Sequence, residues 1–164
     1  MSATMIHPTE TGLTVKNYIN GEGVAGDRTF QSFNPANREH VVGVVPQTGK
    51  DQVEAAVTAA KHAFKTWREL SWVKRAEYID NLAQLIKRDV EALSRLVTIE
   101  CGKPINEGRA DVVEALHMAQ YMAGLGRLPY GHVISSEIAS KDAYIIRKPK
   151  GVVATHRNIL NNIN

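Results

Sequence analysis

The 164-residue chain carries 20 basic and 17 acidic residues for a net charge of +3, and 43% of its residues are hydrophobic. This composition is typical of a globular chain of about one domain. Because the charges are interspersed, the slight basic excess does not indicate a nucleic-acid partner. No apolar run approaches the roughly 20 residues that span a bilayer, and the first residues lack a targeting signal. We expect neither nucleic acid nor a membrane as a partner.

Cys101 is the only cysteine of the chain. A single cysteine excludes an intrachain disulfide and a zinc site built from cysteines. It favours a reducing environment, so the predicted location is the cytoplasm.

Small β elements are predicted at the start of the chain. Residues 1–16 show no sustained hydrophobic period, which predicts a loose leader. Ordered structure is expected to begin at the end of this leader. Asn20-Gly21 accepts the positive φ values of a type I′ turn, which predicts a hairpin. Residues 33–37 predict a second turn, since their proline fixes φ and their asparagine can bond locally. Residues 41–46 predict a short strand that ends at its proline.

Apolar residues spaced three and four apart predict three helices. The first begins at Asp51, where Glu54 completes a capping-box-like start, and its apolar stripe ends at Trp67. The second begins at Ser71 and its stripe runs without interruption to Val97.

The third predicted helix follows a stop signal, because Gly102 suits the left-handed residue after a helix and Pro104 blocks continuation. Asn106 is the predicted cap of this helix. Gly124 and Gly126 are expected to end it.

The last part of the chain changes to a period of two, which predicts a long hairpin from residue 131 to 148 with its turn at 140–142. Residues 151–154 then predict the start of a buried β-branched strand. A parallel sheet needs a crossover helix and a neighbouring strand, so this strand begins an α/β sheet that the chain does not complete. Residues 155–164 hold four asparagines and are interpreted as an atypical tail.

Six segments, in this order and spacing, resemble the aldehyde dehydrogenase superfamily over about residues 17–154. No single segment is specific to this superfamily, but the order and spacing of the six segments together are. The segments are residues 17–22, 33–36, 55–67, 75–85, 100–104 and 147–154.

The resemblance implies an α/β fold, the incomplete N-terminal part of an aldehyde dehydrogenase-like architecture. Residues 17–130 would be the N-terminal helical part of the cofactor-binding domain, and residues 131–150 a β-hairpin of the oligomerisation type. Residues 151–154 would start a Rossmann-like strand. A full-length aldehyde dehydrogenase subunit is the partner implied for residues 131–149.

For the intact parent, the resemblance implies oxidation of an aldehyde to a carboxylate with NAD or NADP, in a dimer or tetramer. Family members continue into Pro-Trp-Asn, whose asparagine stabilises the oxyanion, where this chain has Thr155, His156 and Arg157. The cofactor-binding glycine turn, the general-base glutamate and the nucleophilic cysteine lie further along family members. We therefore assign no catalytic, cofactor-binding or metal-binding residue here and expect a truncated, inactive chain.

Local motifs that suggest other chemistry have simpler interpretations. Cys101 is expected at a helix end, where the dipole disfavours a thiolate, so a packing role is preferred. The glycines at 43 and 49 have five residues between them where a phosphate loop has four, and Asp51 replaces its Ser/Thr. Residues 124–126 lack the third glycine of a dinucleotide fingerprint. The six histidines have no i, i+4 pair, which disfavours a metal site.

Met118 and Met122 are helically spaced and are interpreted as core filler. Three functional hypotheses remain for the chain. The first is an inactive piece of an aldehyde dehydrogenase. The second is an interaction module that docks on an intact enzyme through its hairpin, and the third is a remnant without function.

Overall fold

The N-terminal part of the chain forms two small sheets in the computed structural model, which describes residues 13–129 and 131–154. Strand β1 (Leu13–Thr14) runs parallel to β5 (Asn37–Gln47), and β5 is antiparallel to β4 (Arg28–Asn34). Strands β2 (Asn17–Ile19) and β3 (Glu22–Val24) form a separate antiparallel hairpin.

Both predicted turns are confirmed. Asn20 and Gly21 have φ values of 53° and 85°, as a type I′ hairpin requires. At the second turn, the backbone N–H of Ala36 donates to Asn34 Oδ1 over 2.9 Å. Local side-chain chemistry therefore fixes both reversals.

Two strand boundaries differ from the predictions. Strand β1 begins before the end of the predicted leader, and residues 1–12 lie outside the described residues. Strand β5 continues through Pro46 to Gln47. Proline is tolerated there because β1 pairs with β5 only at Gly43 and Val44, so past Val44 the described part of β5 has a partner on one side only.

Four helices follow the sheets, where the sequence predicted three. Their bounds are α1 Lys50–Trp67, α2 Trp72–Arg88, α3 Val90–Cys101 and α4 Ile105–Gly124. The predicted second helix is two helices, separated at Asp89, whose ψ of 15° leaves the helical range. The N–H of Asp89 still donates to Leu85 and Ile86, so the break is a single residue with no glycine or proline to signal it.

The predicted helix caps are correct at one of three positions. Ser71 Oγ accepts from the N–H of Lys74 and caps α2 as expected. Helix α1 is instead capped by Gly49 without a side-chain bond, and Asp51 lies in its first turn, where its charge complements the dipole. Helix α4 begins after Pro104 rather than Asn106, since the extended proline carbonyl accepts from Glu107.

Helix α3 ends at Gly102, whose φ of 64° confirms the predicted left-handed residue. A Cβ there would lie 2.9 Å from the backbone nitrogen of Ala36. Glycine is required for the conformation and for the close approach to the β4–β5 turn.

Small residues form the contacts among helices α2, α3 and α4. Ser94 is completely buried and Ala83 is 1% exposed. Gly108 is also buried, and a Cβ on it would lie 2.8 Å from the Ser94 carbonyl oxygen. The backbones of α3 and α4 therefore approach each other closely at this point.

After α4, a 3₁₀ turn (Leu125–Arg127) leads to the hairpin of β6 (Gly131–Ile134) and β7 (Ala143–Ile146). Its strands are shorter than predicted, and residues 135–142 connect them. Residues 151–154 form no strand, contrary to the prediction, because no other described strand lies beside them. Residues 155–164 lie outside the described residues. The architecture is α/β, as expected.

Candidate functional site

The thiol of Cys101 lies exposed at the C-terminal end of α3. Backbone carbonyls, and not N–H donors, are free at this end of a helix. An oxyanion needs converging donors, and no hydrogen bond of the described residues involves this thiol. The described surroundings of Cys101 therefore lack the donors that an oxyanion requires, and its exposure contradicts the predicted packing role.

Ion pairs lie near both ends of α3. Arg109 donates to Glu91 through Nε and Nη2 over 3.0 and 2.8 Å, which joins α4 to α3. This hydrogen bond lowers the pKa of Glu91 and raises the pKa of Arg109. Lys103 likewise pairs with Asp111, whose hydrogen bond raises the pKa of Lys103. In both pairs the charged groups are partnered by each other, with Lys103 and Arg109 partly buried and Glu91 and Asp111 exposed, as in ion pairs with a structural role.

The start of α1 does not fit the pyrophosphate of NAD. Gly49 begins α1, but a Cβ on it would lie 3.3 Å from the Asp27 carboxylate, and Asp51 lies in the same first turn. Two carboxylates at this helix start would repel an anion. Asn17 occupies the flank, donating to Thr48 and Gln52 over 2.9 and 3.0 Å. The interpretation of Gly49 as a helix start is confirmed, whereas Gly43 lies in β5 and not in a turn.

The glycines at the end of α4 have the expected positions. Gly124 ends α4 and Gly126 lies buried in the 3₁₀ turn, so these glycines terminate a helix. Within the described ranges, no three His, Cys, Asp or Glu residues lie close enough together to hold a metal ion.

Sequence reasoning missed an apolar groove between α2 and α4. Met118 and Met122, interpreted as core filler, are about half exposed and line this cavity of about 590 Å³. The interpretation was wrong because nothing in the described structure covers that face of α4. The other apolar residues along the groove include Trp67, Ile79, Leu82 and Ile86.

The β6–β7 hairpin also exposes apolar side chains. Val133 and Tyr144 face each other across the strands and are 76% and 63% exposed. Ile145 and Ile146 are more than half exposed on adjacent positions, so both faces of the hairpin are apolar and open. Such a surface is typical of a segment that packs against another protein surface.

None of the helices in residues 13–129 and 131–154 is long and apolar enough to cross a membrane. The cytoplasmic location stays a prediction.

Comparison with curated proteins finds relatives with the dehydrogenase reaction in their names. The mitochondrial methylmalonate-semialdehyde/malonate-semialdehyde dehydrogenase [acylating] of Rattus norvegicus is 36% identical over 143 residues, 86% of this chain and 26% of that protein. The 1-pyrroline-5-carboxylate dehydrogenase of Bacillus pumilus is 39% identical over 146 residues, 88% of this chain and 28% of that protein.

The fold is also similar to solved structures. Betaine aldehyde dehydrogenase of Staphylococcus aureus, in complex with NAD⁺, superimposes with a TM-score of 0.77 at 33% identity. The match covers 84% of this chain and 28% of that one. The chain thus spans about a quarter of the length of the relatives that it matches.

The family model described as "Aldehyde dehydrogenase family" matches residues 23–155, most of the chain. This range agrees with the resemblance found over residues 17–154. The chain belongs to the aldehyde dehydrogenase family.

Proposed function

We propose that this chain derives from an enzyme that oxidises an aldehyde to a carboxylate with NAD or NADP, and that these 164 residues do not catalyse the reaction alone. The observation that carries the proposal is the position of the single cysteine. Cys101 lies at the carbonyl end of α3, without donors for an oxyanion.

Aldehyde oxidation through a thioester has four requirements. It needs a nucleophilic thiolate, donors for the developing oxyanion, a base for the deacylating water and a bound hydride acceptor. The described residues offer one thiol in an unsuitable place, and the helix start nearest a glycine turn is flanked by Asp27 and Asp51. The surroundings of this thiol and of this helix start therefore supply neither oxyanion donors nor a site for the hydride acceptor.

The test is formation of reduced nicotinamide by the purified chain with NAD or NADP and a panel of aldehydes. Betaine aldehyde dehydrogenase of Staphylococcus aureus serves as the positive control. We expect no rate above the enzyme-free blank. A rate that disappears in Cys101→Ala would overturn the proposal, whereas a rate that persists in Cys101→Ala belongs to a contaminant.

A second candidate function is docking on an intact aldehyde dehydrogenase subunit through residues 131–149. The exposed apolar residues of the hairpin favour it, since Val133 and Tyr144 bury little in the chain itself. An exposed two-stranded hairpin also offers edge N–H and C=O groups for pairing with a partner strand.

Docking can be measured by co-purification of the tagged chain with the intact family member of its own cell. Val133→Glu should abolish it, since a charge would be buried in the contact. Val153→Glu is the matched control, because Val153 is 75% exposed and lies outside the hairpin. Equal retention by both variants would exclude the hairpin, and absence of the chain from the soluble fraction of its cell would favour a remnant without function.

A further inference from the structure

Four arginines line one cavity of about 590 Å³ between the segment after α1, the start of α2 and the 3₁₀ turn. Arg68 follows α1, Arg75 lies in the first turn of α2, and Arg127 belongs to the 3₁₀ turn. Arg147 reaches the same cavity from the segment after β7. The sequence alone does not predict this cluster, because Arg68 and Arg147 are 79 positions apart (147 − 68) and the four arginines share no motif.

The wall of the cavity is held rigidly. The guanidinium of Arg75 donates through Nη1 to the Leu70 carbonyl over 2.5 Å and to the Arg68 carbonyl over 3.3 Å. It also stacks 5.1 Å from the ring centre of Trp72. The indole N–H of Trp72 donates in turn to the Leu125 carbonyl over 3.0 Å, so the 3₁₀ turn and α2 are fixed to each other. The Arg75 guanidinium and the backbone that carries Arg127 are therefore set before any ligand binds.

Positive charge exceeds negative charge at this place. Arg68 approaches the exposed Glu69 over 3.3 Å, whereas Arg75, Arg127 and Arg147 form no ion pair with any described residue. The nearby Glu77 is held mainly by Lys74, whose hydrogen bond lowers the pKa of that carboxyl, with a small contribution from Arg127. The first residues of α2 also line the cavity and add the positive end of a helix dipole.

We propose that this cavity binds the phosphate group of a small phosphorylated molecule. The planar guanidinium offers paired donors that match phosphate oxygens, and several such groups around one dianion give strong charge-assisted bonds. The volume is much larger than a single phosphate and lies within the usual size of small-molecule sites, so it leaves space for an organic part. Trp72 and Leu128 supply apolar surface for that part.

The proposal is tested by calorimetric titration of the complete chain with inorganic phosphate and with ribose 5-phosphate. Sodium chloride holds the ionic strength constant, because screening alone changes the strength of exposed charge interactions. We expect saturable binding at one site, tighter for the phosphosugar than for phosphate. Heat that rises without saturation for both probes would overturn the proposal.

The variant for the test is the double substitution Arg127→Gln with Arg147→Gln. Neither side chain takes part in a described ion pair or holds the wall, so the fold should persist, which circular dichroism checks. Loss of two charge-assisted contacts should weaken phosphate binding at least tenfold. Arg95→Gln is the control, since it removes an exposed charge of α3 outside the cavity. Equal weakening per charge by Arg95→Gln would show a nonspecific charge effect and reject the site.

Discussion

Helices α2, α3 and α4 bury small residues at their contacts, whereas the β6–β7 hairpin leaves its large apolar residues open. Ala83 and Ser94 are almost completely buried in the helices, and Val133 is 76% exposed in the hairpin. An isolated two-stranded hairpin is marginally stable in water, while close-packed helices keep their contacts without further partners. The helical unit thus carries the stability of the described chain, and the hairpin contributes surface.

The largest effect should come from filling the contact between the 3₁₀ turn and α2. A Cβ on Gly126 would lie 2.1 Å from the Cβ of Ala76, so Gly126→Ala must displace one element. We expect it to lower the free energy of unfolding by about 3 kcal/mol, as overpacking does at rigid sites. Urea unfolding followed by circular dichroism measures the change.

Gly124→Ala is the control for that substitution. Apart from the neighbouring backbone of α4, no atom of the described residues lies within 4 Å of a Cβ at Gly124, which ends α4. The same chemical change should raise the free energy of unfolding by about 0.5–1 kcal/mol through helix propensity. If both variants behaved alike, the close contact between Gly126 and Ala76 would be contradicted.

A second comparison uses one isosteric change in each region. Val112 of α4 is 6% exposed, so Val112→Thr buries a hydroxyl and should cost about 1–2 kcal/mol of stability. Val133→Thr in the hairpin should change stability by less than about 0.5 kcal/mol, because the hydroxyl stays in water. Chemical denaturation of both variants measures the difference, and equal losses would show that the hairpin is packed in solution.

Features set by neighbouring residues were predictable from the sequence. The positive φ of Asn20 and Gly21, the Ser71 cap and the left-handed Gly102 all follow from the chemistry of one or two side chains. The break at Asp89 was not predictable, because the apolar period continues across it. The ion pair of Arg88 with the Asp89 carboxylate, over 2.7 Å, is likewise not indicated by the apolar pattern.

Burial was the part that the pattern of apolar residues did not predict. The apolar stripe of α1 has the spacing of a helix face that packs against a core. Yet Val53 is 48% exposed, and no residue of α1 is buried. A period of 3.6 shows that a helix has an apolar face, and it does not show what covers that face. The arginine cavity was missed for a related reason, since only the tertiary fold brings Arg68 and Arg147 to one place.

The smallest expected effect concerns the ion pair between α3 and α4. Arg109 lowers the pKa of Glu91, so the charged carboxylate is favoured in the folded chain. A depressed folded pKa stabilises the fold above the unfolded value of about 4.3, and this contribution is lost as the pH falls through the folded pKa. Arg109→Gln should therefore lower the Tm slightly at about pH 7, and this effect should shrink as the pH falls below about 4.3.

Lys87→Gln controls for the loss of one positive charge, because Lys87 is exposed and outside the described ion pairs. Its Tm should not share the pH dependence of Arg109→Gln. The effect of Arg109→Gln should be smaller than those at Gly126 and Val112, since exposed pairs are screened by solvent. A difference between the two variants that did not shrink at all between about pH 7 and about pH 3 would mean that Arg109 stabilises α4 by packing of its stem, and not through the Glu91 charge.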